Sequence, residues 1–340
     1  NEELILENAL IRAEFNARGE LVSLTDKPTG REMLSKPSNR FRMYRDMSFF
    51  FDAWDIDSYY ENQEVALVSD AEVSVEYKGS VESCILIKRK INQSCLTQRV
   101  ILRNNSRRLD FETEVDWRET HKLLKVDFNT NICTDAMLSE IPFGYAKRPN
   151  HKSRQYDADR FEVCNHKWSV LCEGKRGVAV LNDGKYGISA DGGTMSLTLL
   201  RAATSPAKFA DKGVHRFTYS VMPFSENFAD SAVVEEGYAL NCPVLIKQGF
   251  AGKKSFIHVS EKNIVVDTVK YAEDGSGDIV IRMYECKSIN TDCKVHFGFD
   301  VKSIYVTNML EQNLAQVDVD GNELALHFKT FEVITVRIKV

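Results

Sequence analysis

No run of about 20 apolar residues occurs in the 340-residue sequence, so no segment of it spans a bilayer as a helix. Its opening, Asn1-Glu2-Glu3, is acidic where a secretory leader is basic, and no apolar leader core follows. Neither sign of charge dominates. The 44 Lys+Arg and 49 Asp+Glu leave a net charge of −5, which excludes the basic footprint of a nucleic-acid binder. The familiar catalytic signatures are missing too. There is no Gly-x-Ser-x-Gly elbow, no Gly-x-x-x-x-Gly-Lys phosphate loop and no His-Glu-x-x-His helix. The eight cysteines include no Cys-x-x-Cys pair and have no histidine at zinc-ligand spacing. They read as structural thiols, small hydrophobes in a reducing, cytoplasmic compartment, with Cys164/Cys172 and Cys286/Cys293 the closest pairs. Internal repeats and low-complexity tracts are absent. The chain opens abruptly on a strand-like segment, as a piece of something longer would.

What the sequence has in abundance is a period of two. Leu109, Phe111, Thr113, Val115 and Trp117 alternate with Asp110, Glu112, Glu114 and Asp116, which puts one face in a core and the other in water. Val73–Tyr77 and the closing Ile334, Val336, Ile338 and Val340 repeat the pattern. Turn signals separate such runs: Asn104-Asn105-Ser106, Asp191-Gly192-Gly193, Asp274-Gly275-Ser276-Gly277 and Asp320-Gly321, the last predicting a two-residue hairpin loop. Phe228–Tyr238 supplies one short helix. The fold class is therefore all-β. Glycines and lysines over Gln248–Ser255 mark a boundary, giving a large two-sheet sandwich over 1–248 and a small β-sandwich over 249–340.

Polar and aromatic residues gather in a few places that alternation does not require. Asp52-Ala53-Trp54-Asp55-Ile56-Asp57-Ser58-Tyr59-Tyr60 offers rings to stack on sugars and carboxylates to accept their hydroxyl protons. The same residues would serve a loop that packs its rings on the sandwich and leaves its acids solvated. In Trp117–Lys125, Glu119 and His121 stand two apart and would share a strand face as an acid/base pair. A surface pair of Glu119 with Lys122 is the plainer reading. Ile141–His151 carries two prolines and a glycine, a stiff loop presenting Tyr145, Arg148 and His151. Asp183 lies in the polar turn Leu181–Gly187, where local Asx bonds alone would account for it. Arg282 and Tyr284 occupy one strand face and Glu285 the other.

A series of segments runs in order along nearly the whole sequence, beginning with Leu6-Glu7-Asn8, Arg12–Phe15, Gly19–Lys27 and Gly30-Arg31-Glu32. Asp52–Asp57, Glu119–Lys125, Phe143-Gly144-Tyr145 and Arg148-Pro149 follow, then Arg160–Val163, His166-Lys167-Trp168 and Leu181–Gly187. Arg282 with Tyr284-Glu285 and Phe331-Glu332 complete the series. In these segments the sequence resembles the C-terminal β-region of family-38 α-mannosidases, in the pattern of the bacterial and cytosolic branch. Two segments depart from it: Ala202-Ala203-Thr204-Ser205-Pro206, and the loop Asn150–Tyr156.

The resemblance implies a mutarotase-like supersandwich followed by a small β-sandwich. It implies further that zinc and a carboxylate nucleophile, acting by a retaining double displacement, belong to an N-terminal barrel absent from this sequence. No zinc ligand and no nucleophile of the family is matched here, so this chain by itself is expected to hold no cofactor and to be inactive. Its expected partners are that barrel, the helical bundle after it and a mannose-containing oligosaccharide, with a homo-oligomer allowed. Trp54, Asp55, Asp57, Glu119, His121 and Lys122 become candidates for the substrate cleft or the barrel-facing side. Tyr145, Arg148, Asp183, Arg282 and Tyr284 are further interdomain candidates. A free-standing carbohydrate-binding module using Trp54, and an independent enzyme using Glu119 and His121, are the alternatives.

Overall fold

The computed structural model describes residues 3–67, 70–249, 252 and 254–340. Of the stretch that marks a boundary in the sequence, residues 250, 251 and 253 lie outside the described residues. The chain divides into two units, Asn1–Glu140 with Ala146–Pro243, and Ile141–Tyr145 with Val244–Val340. No described helix is long and apolar enough to cross a membrane.

Two large antiparallel sheets make up most of the first unit. The strand order in the six-stranded sheet is Val163–Cys164, Gly187–Asp191, Thr194–Leu200, Lys122–Asn129, Arg40–Arg45, Glu64–Val65. The nine-stranded sheet runs from Gly144–Pro149 and Ala136–Ile141 through Trp168–Glu173, Arg176–Asn182, Gly213–Phe224 and Leu109–Trp117 to Ser94–Arg103, Glu82–Ile91 and Ala71–Lys78. Their inner faces meet in one core, where the Phe111 and Phe128 rings lie 5.8 Å apart and Phe111 stacks on Tyr219 at 5.2 Å. Each such fully buried side chain contributes about 1.5–3 kcal/mol. The polar groups inside are paired: Gln98 Nε2 donates to Thr113 Oγ1 and the Tyr219 hydroxyl, which donates to Asn39 Oδ1 at 2.6 Å.

The strand Leu109–Trp117 alternates as expected at Glu112 and Glu114, but Asp110 is buried rather than solvated. Arg108 Nε at 2.7 Å, Arg103 and the Ser220 hydroxyl at 2.6 Å satisfy its carboxylate, which makes burial tolerable. None of the cysteines is in a disulfide, and only Cys84, Cys286 and Cys293 are buried. Cys95, Cys133, Cys164 and Cys242 are exposed, so the expectation of small buried hydrophobes is corrected for these four. The expected short helix is present as a 3-10 turn Phe228–Asp230 followed by the helix Val233–Asn241.

A three-stranded sheet (Ile257–Val259, Thr291–Phe297, Glu323–Phe328) and a five-stranded one (Ile264–Tyr271, Ile279–Glu285, Val333–Lys339, Ser303–Thr307, Asn313–Val317) form the second unit. They share a core of Ile281, Met283, Val295, Phe297, Leu324, Val336 and Ile338. The Asp320-Gly321 hairpin is corrected here. The tight turn is centred on Gly321-Asn322, closed by the Asp320–Glu323 bridge, with φ +58° at Gly321. Its flanking strands, Asn313–Val317 and Glu323–Phe328, belong to different sheets, so they do not pair as a hairpin.

Candidate functional site

The segment from Asp46 to Tyr60 leaves the strand Arg40–Arg45 as an irregular loop and re-enters as the 3-10 turn Ser58–Asn62. Such a loop needs an external template for its backbone carbonyls, and Arg201 provides it. Its Nε donates to Asp46 Oδ2 at 2.7 Å, and its terminal nitrogens donate to the carbonyls of Asp55 (2.7 Å), Asp52 (3.1 Å) and Ala53 (3.3 Å). The Arg201 carbonyl itself accepts from Trp117 Nε1 at 2.7 Å. A rigid planar fork with five donors suits this task.

Asp52 locks the other side. Its Oδ2 accepts from the backbone N–H of Thr204 (2.7 Å) and Ser205 (3.1 Å) and from the Thr204 hydroxyl (3.3 Å). Burial pushes the Asp52 carboxyl up, but these bonds and the nearby His121 ring outweigh it, so it sits below its usual value. The departing segment Ala202–Pro206 therefore supplies the donors that hold Asp52. His121 completes the clamp: its N–H donates to Ala202 O (2.8 Å), its carbonyl accepts from Asp46 N (3.0 Å), and Nε2 lies 3.1 Å from Thr204 Oγ1. Its Nδ1 is buried without a hydrogen bond, 3.5 Å from Asp52 Oδ1.

Held this way, the loop turns its rings outward. Phe49 is 81% exposed and Trp54 70%, with Phe50 and Phe51 close behind; Phe49 and Phe50 meet edge to face at 4.6 Å. Asp55 is exposed, and half-buried Asp57 accepts from Phe49 N at 2.8 Å. The Tyr59 hydroxyl donates to Met47 O. Contiguous exposed rings of this kind mark interaction surfaces.

The structure thus brings Trp54, Asp55, Asp57 and His121 together, with Lys122 next in the chain. Glu119 is not part of an acid/base pair with His121. The strand ends at Trp117 and the next begins at Lys122, so residues 118–121 form a turn, with His121 at φ +48°. Glu119 is buried and accepts from Gln93 N (2.8 Å) and the Ser94 hydroxyl (3.0 Å), while Lys122 Nζ donates to Thr120 O at 3.4 Å. The stiff loop expected over 141–151 is also corrected: Ala136–Ile141 and Gly144–Pro149 are neighbouring strands, which places Tyr145 and Arg148 on a strand. Arg148 Nε is buried without a hydrogen-bond partner.

Asp183 is exposed in its turn, accepting from Thr218 N at 2.8 Å, while Asn182 Oδ1 makes the local Asx bonds to Gly184 N and Lys185 N. In the second unit Tyr145 packs edge-on against Phe331 and buried Tyr284 against Phe143; Arg282 Nε donates to Thr335 Oγ1 at 3.2 Å. Fully buried Glu285 organises that region, accepting from the N–H groups of Lys287, Ser288 and Phe331.

Sequence reasoning missed Phe49–Phe51, whose signal was three consecutive rings in a polar stretch, and Arg201, which has no local signal. It also missed a cleft of about 820 Å³ over the six-stranded sheet, floored by Lys125 and Asp127. The signal there was two charges set inside the apolar run Leu123–Phe128. Among the described residues no three His, Cys, Asp or Glu side chains gather as metal ligands would, so these residues do not fit a zinc ion.

The family model described as the glycosyl hydrolases family 38 C-terminal domain matches residues 6–209, and that of the family 38 C-terminal beta sandwich domain matches 263–336. Alpha-mannosidase 2C1 of Homo sapiens is 34% identical over 342 residues, covering 97% of this chain and 33% of that protein. Alpha-mannosidase G of Dictyostelium discoideum is 35% identical over 298 residues, covering 83% and 27%. The chain spans no more than a third of the length of these relatives. A crystal structure of an alpha-mannosidase from Enterococcus faecalis V583, 18% identical, superposes with a TM-score of 0.80 over all of this chain and 42% of its own. That match shows the fold, a supersandwich followed by a small β-sandwich.

Proposed function

This chain belongs to the family 38 glycosyl hydrolase C-terminal family, and from that membership we propose that it is the non-catalytic C-terminal portion of an α-mannosidase. In this reading it docks onto an N-terminal barrel and helical bundle and lines one wall of the substrate cleft. Hydrolysis of the α-mannosidic bond, with its zinc and its retaining mechanism, is assigned to that other part. The observation that carries the proposal is the ring-bearing loop. Four large aromatic side chains are held in open solvent by a clamp of buried and half-buried groups. A free surface would gain nothing from fixing apolar rings in water, whereas a docking face gains by having its ordering cost met in advance. The length of the relatives supplies the occupant, since about two thirds of each lies outside the matched region.

Trp54, Asp55 and Asp57 are placed by this reading at the docking side, and eight cysteines without a disulfide suit a reducing cytoplasm. The test compares this chain with the protein that includes its upstream segment, using an aryl α-mannoside and added zinc. The chain alone is expected to be inactive and the longer protein active. Joint replacement of Phe49, Phe50, Phe51 and Trp54 by alanine is expected to lower that activity and loosen the association of the two parts. Zinc-dependent turnover by the chain alone would overturn the assignment. Sugar binding through Trp54 by a free-standing module is the second reading, favoured by that ring's exposure; loss of mannobiose binding in Trp54→Ala checks it.

A further inference from the structure

Away from its core, the six-stranded sheet is tiled with polar side chains in register. Ser189, Ser196, Asp127 and Arg40 stand side by side across four strands. Asp191, Thr194 and Asn129 form the row on one side, and Thr198, Lys125 and Arg42 the row on the other. The alternate positions, among them Ile188, Leu197, Val126 and Phe41, are buried in the core. Ordinary amphipathic strands show such a division when the polar face meets open water. Here it does not. Lys125 is 1% exposed and Asp127 5%, and both lie at the bottom of the cleft of about 820 Å³, walled by Tyr44, Tyr60 and Phe161.

Each buried charge is hydrogen-bonded. Lys125 Nζ donates to Glu162 Oε2, to Ser189 Oγ at 3.0 Å and to the Tyr60 hydroxyl at 3.3 Å. Asp127 accepts from Ser196 Oγ at 2.5 Å and lies 3.6 Å from Arg42. Burying such groups costs several kcal/mol that a leucine at the same position would not. A wall that only had to pack would not need them. The rim adds groups of both kinds: Lys36, Arg40 and Arg160 can donate, Glu20 and Asp191 can accept, and none of the five forms an ion pair among the described residues, although Glu20 also accepts from Asn16 Nδ2 at 2.8 Å and Arg160 lies over the Tyr156 ring.

An anion would use the cations and leave the carboxylates facing it; a cation would do the reverse. A ligand rich in hydroxyl groups satisfies both, because each hydroxyl donates and accepts. The volume lies within the range of small-molecule sites, about 300–1,000 Å³. We propose that this cleft binds a short uncharged oligosaccharide, with Asp127, Ser196 and Ser189 on its floor and Arg40 and Asp191 on its rim. The inference goes beyond docking and uses none of the ring-bearing loop.

Calorimetric titration of the 340-residue chain tests it, with mannotriose, maltotriose and inorganic phosphate as probes. Saturable binding of at least one trisaccharide is expected, with a Kd of about 1 mM or below. Arg40→Ala and Asp191→Ala, both at exposed rim positions, are expected to weaken it about tenfold or more, with thermal melts unchanged; Trp54→Ala is expected to leave it intact. Asp127→Asn, compared at matched folded fraction, is expected to weaken it as well. Flat titrations with both sugars would overturn the proposal. So would saturation by phosphate alone, which makes the cleft an anion site, or binding abolished by Trp54→Ala and untouched by Arg40→Ala. None of these outcomes bears on the activity of the longer protein, so docking and sugar binding fail separately.

Discussion

Asp52 shows how one carboxylate acquires both a structural duty and a pH dependence. Its three donors, two of them backbone N–H groups, favour the ionised form and lower its pKa from the usual 3.8. Because the folded value lies below the unfolded one, the stabilisation is complete above about pH 4 and fades as pH falls through the lowered value. Asp52→Ala removes the acceptor and is expected to cost about 1–3 kcal/mol at pH 7. The gap between its thermal melt and that of the parent should close as the pH drops below 3.8; a gap that persists at pH 2 would show that packing, not charge, holds the loop. Trp54, Asp55 and Asp57 stood out in the sequence because rings and acids crowd nine positions. Arg201 did not, because the groups it binds are carbonyls about 150 positions away that have no signature of their own.

At the level of strands, alternation was legible wherever one face met the core, and it faltered where both faces are buried. The strand Lys122–Asn129 is the clearest example, with six consecutive buried residues that include Lys125 and Asp127. Periodicity carries no sign that its two charges are buried; the cleft above them accounts for it. Removing one member of the Lys125–Glu162 pair, as in Lys125→Ala, leaves an uncompensated carboxylate and is expected to cost about 3–5 kcal/mol in denaturant unfolding. The double replacement Lys125→Met/Glu162→Leu should cost clearly less. Equal losses in the two variants would mean that volume, rather than charge, sets the penalty. The misplaced turn at Asp320 has the same kind of origin: turn chemistry is local, but whether two strands pair or part is decided by which sheet each joins.

For the molecule as a whole, the all-β class and the presence of two units were readable from strand density and from the glycine- and lysine-rich stretch after residue 247. The connection at 243–247 carries no regular structure, and Leu245 is 95% exposed. Brief digestion with elastase is expected to nick this exposed connection early and leave the β-rich circular dichroism in place. First cuts inside the strands of either unit would argue against independent cores. The Arg201 clamp also has a temporal side. It joins the ring-bearing loop to a guanidinium 146 positions later, so on the ribosome the phenylalanines emerge long before the group that shapes them. For that interval the nascent segment presents sticky, unpatterned rings, which makes it a natural client for chaperones and the most aggregation-prone stage of synthesis.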